Sequence, residues 1–415
     1  MTRDKGEHFP RNRPAFQVGT RFVIFLPRRV GFGYPLAMFD WKTITVEGLA
    51  RRGRFATPHG PCETPMFMPV GTAGTVKGIT PEHLAQTGSQ MILANTYHLM
   101  LRPGDTGVAT LGGLHKLMAW PGPILTDSGG YQVFSLAHMR KISDDGVEFQ
   151  SHIDGSRVSL TPQRAVEIQR NLGSDVMMQL DICPPGQAPR DEVARAVELS
   201  SDWARRCKNA WDAAGRQTAQ GNPQALFGIQ QGGVFGELRA ESAKRIVELD
   251  LPGYAIGGLS VGEGHDPMCD VLDNMDAQLP ADKPRYLMGV GEPRDILAAV
   301  ACGVDMFDCV MPTRNGRNAQ AFTWSGRLKL RNACFAAQDE PICPRCRCYA
   351  CENFSRGTIR HLFQAGEMLG GILVSIHNLQ FFADFTAAIR TAIEAGNFAT
   401  SANRWLEEMY PQETK

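Results

Sequence analysis

No apolar run in the 415 residues approaches the roughly 18–20 needed to cross a bilayer, so no transmembrane segment is expected. The apolar stretch 22–26 is too short for the roughly 7–15-residue core of a secretory signal, and it lacks a small-residue cleavage site. These absences point to a cytoplasmic protein with no membrane partner. Nor is there a surplus of charge of either sign. The 43 basic residues balance 43 acidic ones, which excludes a basic field spread over the whole surface. Low-complexity tracts and short-period solenoid repeats are missing as well. What remains is a globular composition, 43% hydrophobic and 21% charged. The length allows one large domain with appendages or two to three ordinary ones.

The balance of charge hides a local excess. Residues 311–360 carry Arg314, Arg317, Arg327, Lys329, Arg331, Arg345, Arg347, Arg356 and Arg360 against Asp339, Glu340 and Glu352. Such a run suits phosphate contacts if folding gathers it on one surface. Cysteine is plentiful, 11 in all, and Cys334, Cys343, Cys346, Cys348 and Cys351 crowd into one short segment. In a cytoplasmic chain, clustered cysteines favour a metal over disulfides. Residues 1–37 stand apart, with Pro10, Pro14, Pro27 and Pro35 and no helical or strand period. Residues 1–38 are expected to be a disordered extension, or an upstream addition to a protein that begins at Met38. An intact mass starting at Met1 would sink the second idea.

From about Phe39 onward, short apolar segments that end in Gly or polar residues alternate with helical stretches. Strands are expected at 66–70, 91–95, 124–126, 176–180, 226–230, 254–257, 286–290 and 306–310, with helices such as 162–172, 192–213 and 235–249 between them. Eight strands alternating with helices predict an α/β fold, a closed parallel (β/α)8 TIM barrel. An open doubly wound sheet has the same periodicity and stays possible at this point.

In such barrels the chemistry sits where the strands end. Reading those positions in order gives Asn95, Thr96, Tyr97 and His98, then Asp127 through Gln132, Asp181, Gln231, Gly258, Leu259, Gly289 and Asp308. Three carboxylates, an amide and several glycines therefore converge on one rim, and the glycines let backbone polar groups approach a flat ligand closely.

The segments 67–72 (FMPVGT), 95–104 (NTYHLMLRPG), 125–132 (LTDSGGYQ), 227–232 (FGIQQG), 257–262 (GGLSVG), 286–291 (YLMGVG) and 306–314 (MFDCVMPTR) resemble those of tRNA-guanine transglycosylases. The resemblance runs from about residue 39 to residue 380, and the motifs occur in the family's order. It implies a zinc-containing barrel that exchanges guanine at the tRNA wobble position, with residues 39–415 as the catalytic domain. A C-terminal zinc-binding subdomain at about 332–380 would be inserted near the last barrel helices. It further implies that Asp308 is the nucleophile on the ribose and Asp127 the general acid/base. Asp181, Gln231 and the backbone of Gly258 and Leu259 would hold the base edge, between Tyr131 and Met288. The partners implied are tRNA bearing a wobble guanine, a 7-deazaguanine base and, as the family suggests, a second copy in a homodimer. No ATP or redox cofactor is called for, because the backbone is never cut.

The residue types suit that chemistry. Breaking an N-glycosidic bond builds positive charge on the sugar, which a carboxylate stabilises and then traps. Asp305 competes with Asp308 on residue type alone, but positions three apart on a strand face opposite ways. Asp308 lies nearer the rim and matches the motif, leaving Asp305 a structural partner. For Zn2+, Cys346, Cys348, Cys351 and His377 match the family's ligand pattern, and four protein ligands make a closed structural site. Cys343 is a possible replacement for Cys346, and His361 a rival to His377. Arg314 and Arg317, just after the nucleophile strand, are expected to grip phosphates. Cys183 and Val261 resemble the pocket of bacterial members that take the smaller 7-aminomethyl-7-deazaguanine, and Glu263 resembles an acidic residue that supports its recognition. The run 181–185 (DICPP) and Glu292 depart from the family's usual residues. A barrel glycosidase acting on free carbohydrate or nucleoside is the rival enzyme reading, but it needs neither basic patch nor zinc. A non-catalytic tRNA-binding subunit is the rival from another class, and the presence of both Asp127 and Asp308 speaks against it.

Overall fold

A computed structural model describes residues 38–136 and 140–411 of the chain. The extension expected at 1–38 therefore falls, but for its last residue, outside the described residues. Eight parallel strands form the centre: β1 Met66–Pro69, β2 Ile92–Ala94, β3 Ile124–Thr126, β4 Val176–Met178, β5 Ala225–Gln230, β6 Gly253–Ile256, β7 Arg285–Leu287 and β8 Met306–Cys309. They pair in the order β1-β8-β7-β6-β5-β4-β3-β2. The circle closes between β1 and β2 through a single parallel bridge, Val70 to Leu93, and the Gly71 N–H bond to the Leu93 carbonyl at 2.6 Å. All eight expected strands are present, and closure decides against the open sheet.

The strands are short because each is buried on both faces and needs only a few apolar residues. Side chains alternate between two cores. Met66, Met68, Leu93, Leu125, Val176, Met178, Phe227, Ile229, Ala255, Tyr286 and Met306 fill the barrel interior. Their neighbours Phe67, Ile92, Ile124, Met177, Leu226, Ile256, Leu287 and Phe307 face the surrounding helices. This parity matters for the site, since Asp308 follows Met306 at an interval of two and continues the inward-facing row.

Helices expected at 162–172, 192–213 and 235–249 appear as Pro162–Leu172, Arg190–Ala213 and Gly236–Val247. The first starts at Thr161, whose side chain caps the Arg164 N–H, and ends at Gly173 with φ of 78°. Other elements were not foreseen. An antiparallel sheet of Lys42–Glu47, Ala50–Thr57 and Gly60–Thr64 precedes β1, and another, Arg140–Ser143, Gly146–Gln150 and Arg157–Leu160, follows β3. The helix Met368–Glu394 corrects the expectation about apolar runs. It is long and apolar enough to cross a membrane by length and composition, with mean hydropathy 1.3 over its best window. Of that window 67% is buried inside the protein, where it packs on β1 and on the helix Met311–Arg317, so it is a core helix.

Candidate active site

The inward-facing row of β8 ends at Asp308, which is partly open to solvent. Its Oδ1 accepts the Tyr286 hydroxyl at 2.5 Å and the Gly289 N–H at 2.7 Å. Tyr286 is fully buried in the barrel interior, and burial together with the Asp308 carboxylate pushes its phenol well up, so it remains a donor. Burial raises the Asp308 pKa, and the two hydrogen bonds oppose that rise.

Asp127 stands just past β3 and is 8% exposed. Its Oδ1 accepts the Thr96 N–H at 2.7 Å, while Oδ2 accepts Gln132 Nε2 at 2.9 Å and a close contact from Asn95 Nδ2. Burial nevertheless raises its pKa to about 6, against those donors, and the charge of Asp308 adds to the rise. Both carboxylates also act on Tyr286. Asp127 and Asp308 therefore share one electrostatic neighbourhood at the C-terminal rim.

Asp181, past the end of β4, takes Ser128 Oγ on Oδ1 at 3.2 Å and Gln231 Nε2 on Oδ2 at 2.7 Å. Burial lifts its pKa to about 6 as well. Gln231 follows β5, and its Oε1 is buried with no partner among the described residues. Gly258, at φ of 67°, is tightly confined: a Cβ there would come within 2.5 Å of Gln231 Oε1. Only glycine allows that approach. Glu263 accepts the N–H groups of Ser260 and, at 2.9 Å, Val261, and so braces the loop that carries Leu259.

Beside these residues opens a cavity of about 660 Å³. Tyr131, 51% exposed, lines it together with Cys183 and Val261. Met288 does not line this cavity; it is partly buried against the barrel core. Arg314 and Arg317 project from the helix Met311–Arg317 directly after β8, exposed and with no ion pair among the described residues. Elsewhere in the basic run, Arg327 pairs with Glu292 and Arg345 with Glu408. Asp305 lies at the opposite end of β8, where it pairs with buried Arg51 and accepts the Arg285 N–H at 2.8 Å. It is a structural partner, as its place in the strand predicted.

The ligating atoms of Cys346, Cys348, Cys351 and His377 lie within 4.8 Å of one another. His377 Nδ1 stands 3.3 Å from the Cys351 sulfur and 3.8 Å from that of Cys348. Its Nε2 faces the Phe322 carbonyl at 2.8 Å, which can only accept, so Nε2 carries the proton and Nδ1 is left free to ligate. This donor set fits one tetrahedral metal ion. Cys343 and the exposed His361 stand outside the group.

Another group, His59, His115 and Asp175, also satisfies the spacing of a metal site. Its geometry argues otherwise. The imidazoles stack at 3.5 Å and aim one nitrogen each at the two Asp175 oxygens, at 2.7 and 3.1 Å. Metal ligands radiate from the ion, so parallel rings at stacking distance describe a hydrogen-bonded clamp.

Asn95, Thr96 and Gln132 stood on the rim in the sequence, but nothing in their spacing marked them as donors to Asp127. Tyr286 was visible only as part of a motif, and the parity that places it beneath Asp308 was the available signal.

A sequence profile of the family described as queuine tRNA-ribosyltransferase matches residues 46–411. A queuine tRNA-ribosyltransferase of Novosphingobium aromaticivorans is 52% identical over 367 residues, covering 88% of this chain and 97% of the relative. Relatives of the same name from Solidesulfovibrio magneticus and Sphingopyxis alaskensis are 52% and 53% identical, over 88% and 87% of this chain and 96% of each relative. With its parallel barrel, its Cys3His cluster and these matches, the chain belongs to the queuine tRNA-ribosyltransferase family, the tRNA-guanine transglycosylases.

Proposed function

We propose that the protein exchanges guanine at the wobble position of tRNA for 7-aminomethyl-7-deazaguanine by double displacement through a ribose adduct on Asp308. The observation that carries this reading is the convergence of Asp127, Asp181 and Asp308 on one barrel rim, where the charge of Asp308 raises the Asp127 pKa and both carboxylates act on Tyr286. A base stacked in a duplex is unreachable, so the target nucleotide is taken splayed from the anticodon loop.

In the first displacement an Asp308 oxygen attacks the anomeric carbon and the glycosidic bond breaks. The bonding pair leaves on the guanine, and Asp127 supplies the proton that neutralises it. In the second, Asp127 removes the N–H proton of the incoming base, whose nitrogen attacks the same carbon and expels the Asp308 carboxylate. Two inversions restore the configuration. Asp181, Gln231 and the backbone of Gly258 and Leu259 hold the base edge, with Tyr131 and Met288 on its faces. The tight fit of Gly258 over Gln231 and the paired acceptors of Asp181 support this assignment. Cys183 and Val261 on the cavity wall support the smaller incoming base. Arg314 and Arg317 grip the flanking phosphates, a role supported by their exposure beside β8.

One zinc ion per chain, held by Cys346, Cys348, Cys351 and His377, would supply cross-linking of the segment 332–380 and no chemistry in the exchange. Residues 39–415 act as one catalytic domain in a cytoplasmic homodimer. The test is incorporation of labelled guanine into tRNA with a wobble guanine. Wild type incorporates it and Asp308→Ala does not; a covalent RNA adduct that persists in Asp308→Ala overturns the nucleophile.

A further inference from the structure

Three arginines are among the fully or nearly fully buried residues: Arg51, Arg239 and Arg285. Arg51 pairs with Asp305 and Arg285 with Asp276, both near the N-terminal end of the barrel. Arg239, 1% exposed, has no carboxylate within ion-pair distance among the described residues. Burying a charge without an ion pair is unfavourable, so a fold that retains one needs a reason.

Its contacts supply the reason. Arg239 rises from the helix Gly236–Val247, which follows β5. Nε donates to the Gly233 carbonyl at 2.8 Å, and Nη1 to the carbonyls of Gln230 at 3.2 Å and Gly257 at 2.7 Å. One guanidinium thus ties together the segments that leave β5 and β6, which carry Gln231 and Gly258. A trans peptide points its C=O and N–H in opposite directions. With the Gly257 carbonyl held toward Arg239, the Gly258 N–H is turned away from it, toward the sulfur of Cys183 on the cavity wall. Nη2 is buried without a partner among the described residues and lies 3.6 Å from where a Gly258 Cβ would stand. The approach is enforced at Gly232, φ 138°, where a Cβ would come within 2.7 Å of the Arg239 backbone nitrogen. Burial lowers the Arg239 pKa to about 10, so the cation persists at neutral pH.

We propose that Arg239 is a positioning residue for the exchanged base: it aims the Gly258 N–H into the base site and sets a positive charge beneath it. The inference rests on the transglycosylase reading and deepens it. Cleaving the glycosidic bond sends an electron pair onto the heterocycle, and a fixed cation under the base favours that charge where Asp127, Asp181 and Asp308 oppose it.

The test compares wild type, Arg239→Met and Arg239→Lys in guanine exchange, each normalised to the fraction of enzyme that forms the covalent tRNA adduct. The expected result for Arg239→Met is a KM for guanine raised about tenfold or more, with the KM for tRNA within about twofold of wild type. Arg239→Lys keeps the charge but cannot reach three carbonyls at once, so it recovers part of the loss. If Arg239→Met does not fold, a guanine KM raised in Arg239→Lys alone, with the tRNA KM unmoved, supports the proposal. Unchanged kinetics in a folded variant overturn it, and so does a rise of both KM values together. No exchange by wild type sinks the transglycosylase reading itself, whereas normal exchange by a folded Arg239→Met sinks only the role of Arg239.

Discussion

The proposed nucleophile, Asp308, must be an anion to attack, yet burial raises its pKa, and the Tyr286 hydroxyl and Gly289 N–H hold that rise in check. Removing one donor lets the pKa climb further. Tyr286→Phe should lower kcat roughly ten- to a hundredfold, since a hydrogen bond to a charged group contributes about 1.5–3 kcal/mol. The acid limb of its pH profile should move upward, because the lost donor favoured the anion. A profile that keeps its wild-type position while kcat falls would remove Tyr286 from this role. Asp127 and Asp181 are each raised to about 6 by burial. Asp127 must be ionised to take the proton of the incoming base, and it is protonated below its pKa. Measured against pH, kcat/KM for the incoming base should therefore fall as pH drops below about 6. A flat profile from about pH 5 to about pH 8 would refute that assignment.

Asp175, fully buried at the start of β4, holds several elements at once: His59 from the turn of the first antiparallel sheet, His115 from the helix Leu114–Leu117, and the Ile124 N–H of β3. Burial alone would raise its pKa, but the hydrogen bonds and charge of His115 and His59 hold it below the usual carboxylate range. A depressed pKa contributes stability that is present above the unfolded value and lost as pH falls through the folded one. Asp175→Asn should cost about 2 kcal/mol near neutrality. Thermal melting should show the gap from wild type narrowing only below about pH 4, the ordinary aspartate range. A gap that does not change with acid would contradict the sign. At the metal cluster, chelation should lower the melting temperature, and a metal-free preparation with unaltered melting would defeat the structural role. The barrel elements were legible because short apolar runs ending in Gly or polar residues alternate with helical stretches. The first antiparallel sheet was not, since its buried positions include Arg51 and Gly53 where apolar residues would have signalled a strand. The helix Met368–Glu394 escaped for the opposite reason: its buried residues run from Gly370 to Phe382 almost without a break, so no regular polar face marks its helical period there.

Across the whole molecule, charge is balanced in sum and segregated in place. Carboxylates gather inside the rim, while Arg314 and Arg317 stand exposed beside it. Arg314→Ala and Arg317→Ala should each weaken tRNA binding and reduce the salt slope by about one. Unchanged slopes would take both residues out of phosphate contact. The sequence by itself determined the eight strands, the order of their rim residues and the cysteine cluster, because short apolar runs and short ligand spacings are local properties of the chain. Tertiary structure alone decided closure of the barrel, which rests on the meeting of Val70 and Leu93. It also decided the burial of Arg239, which makes no ion pair among the described residues. Each of these depends on which distant segments meet, and a buried charge beneath a glycine loop leaves no period in the chain that carries it.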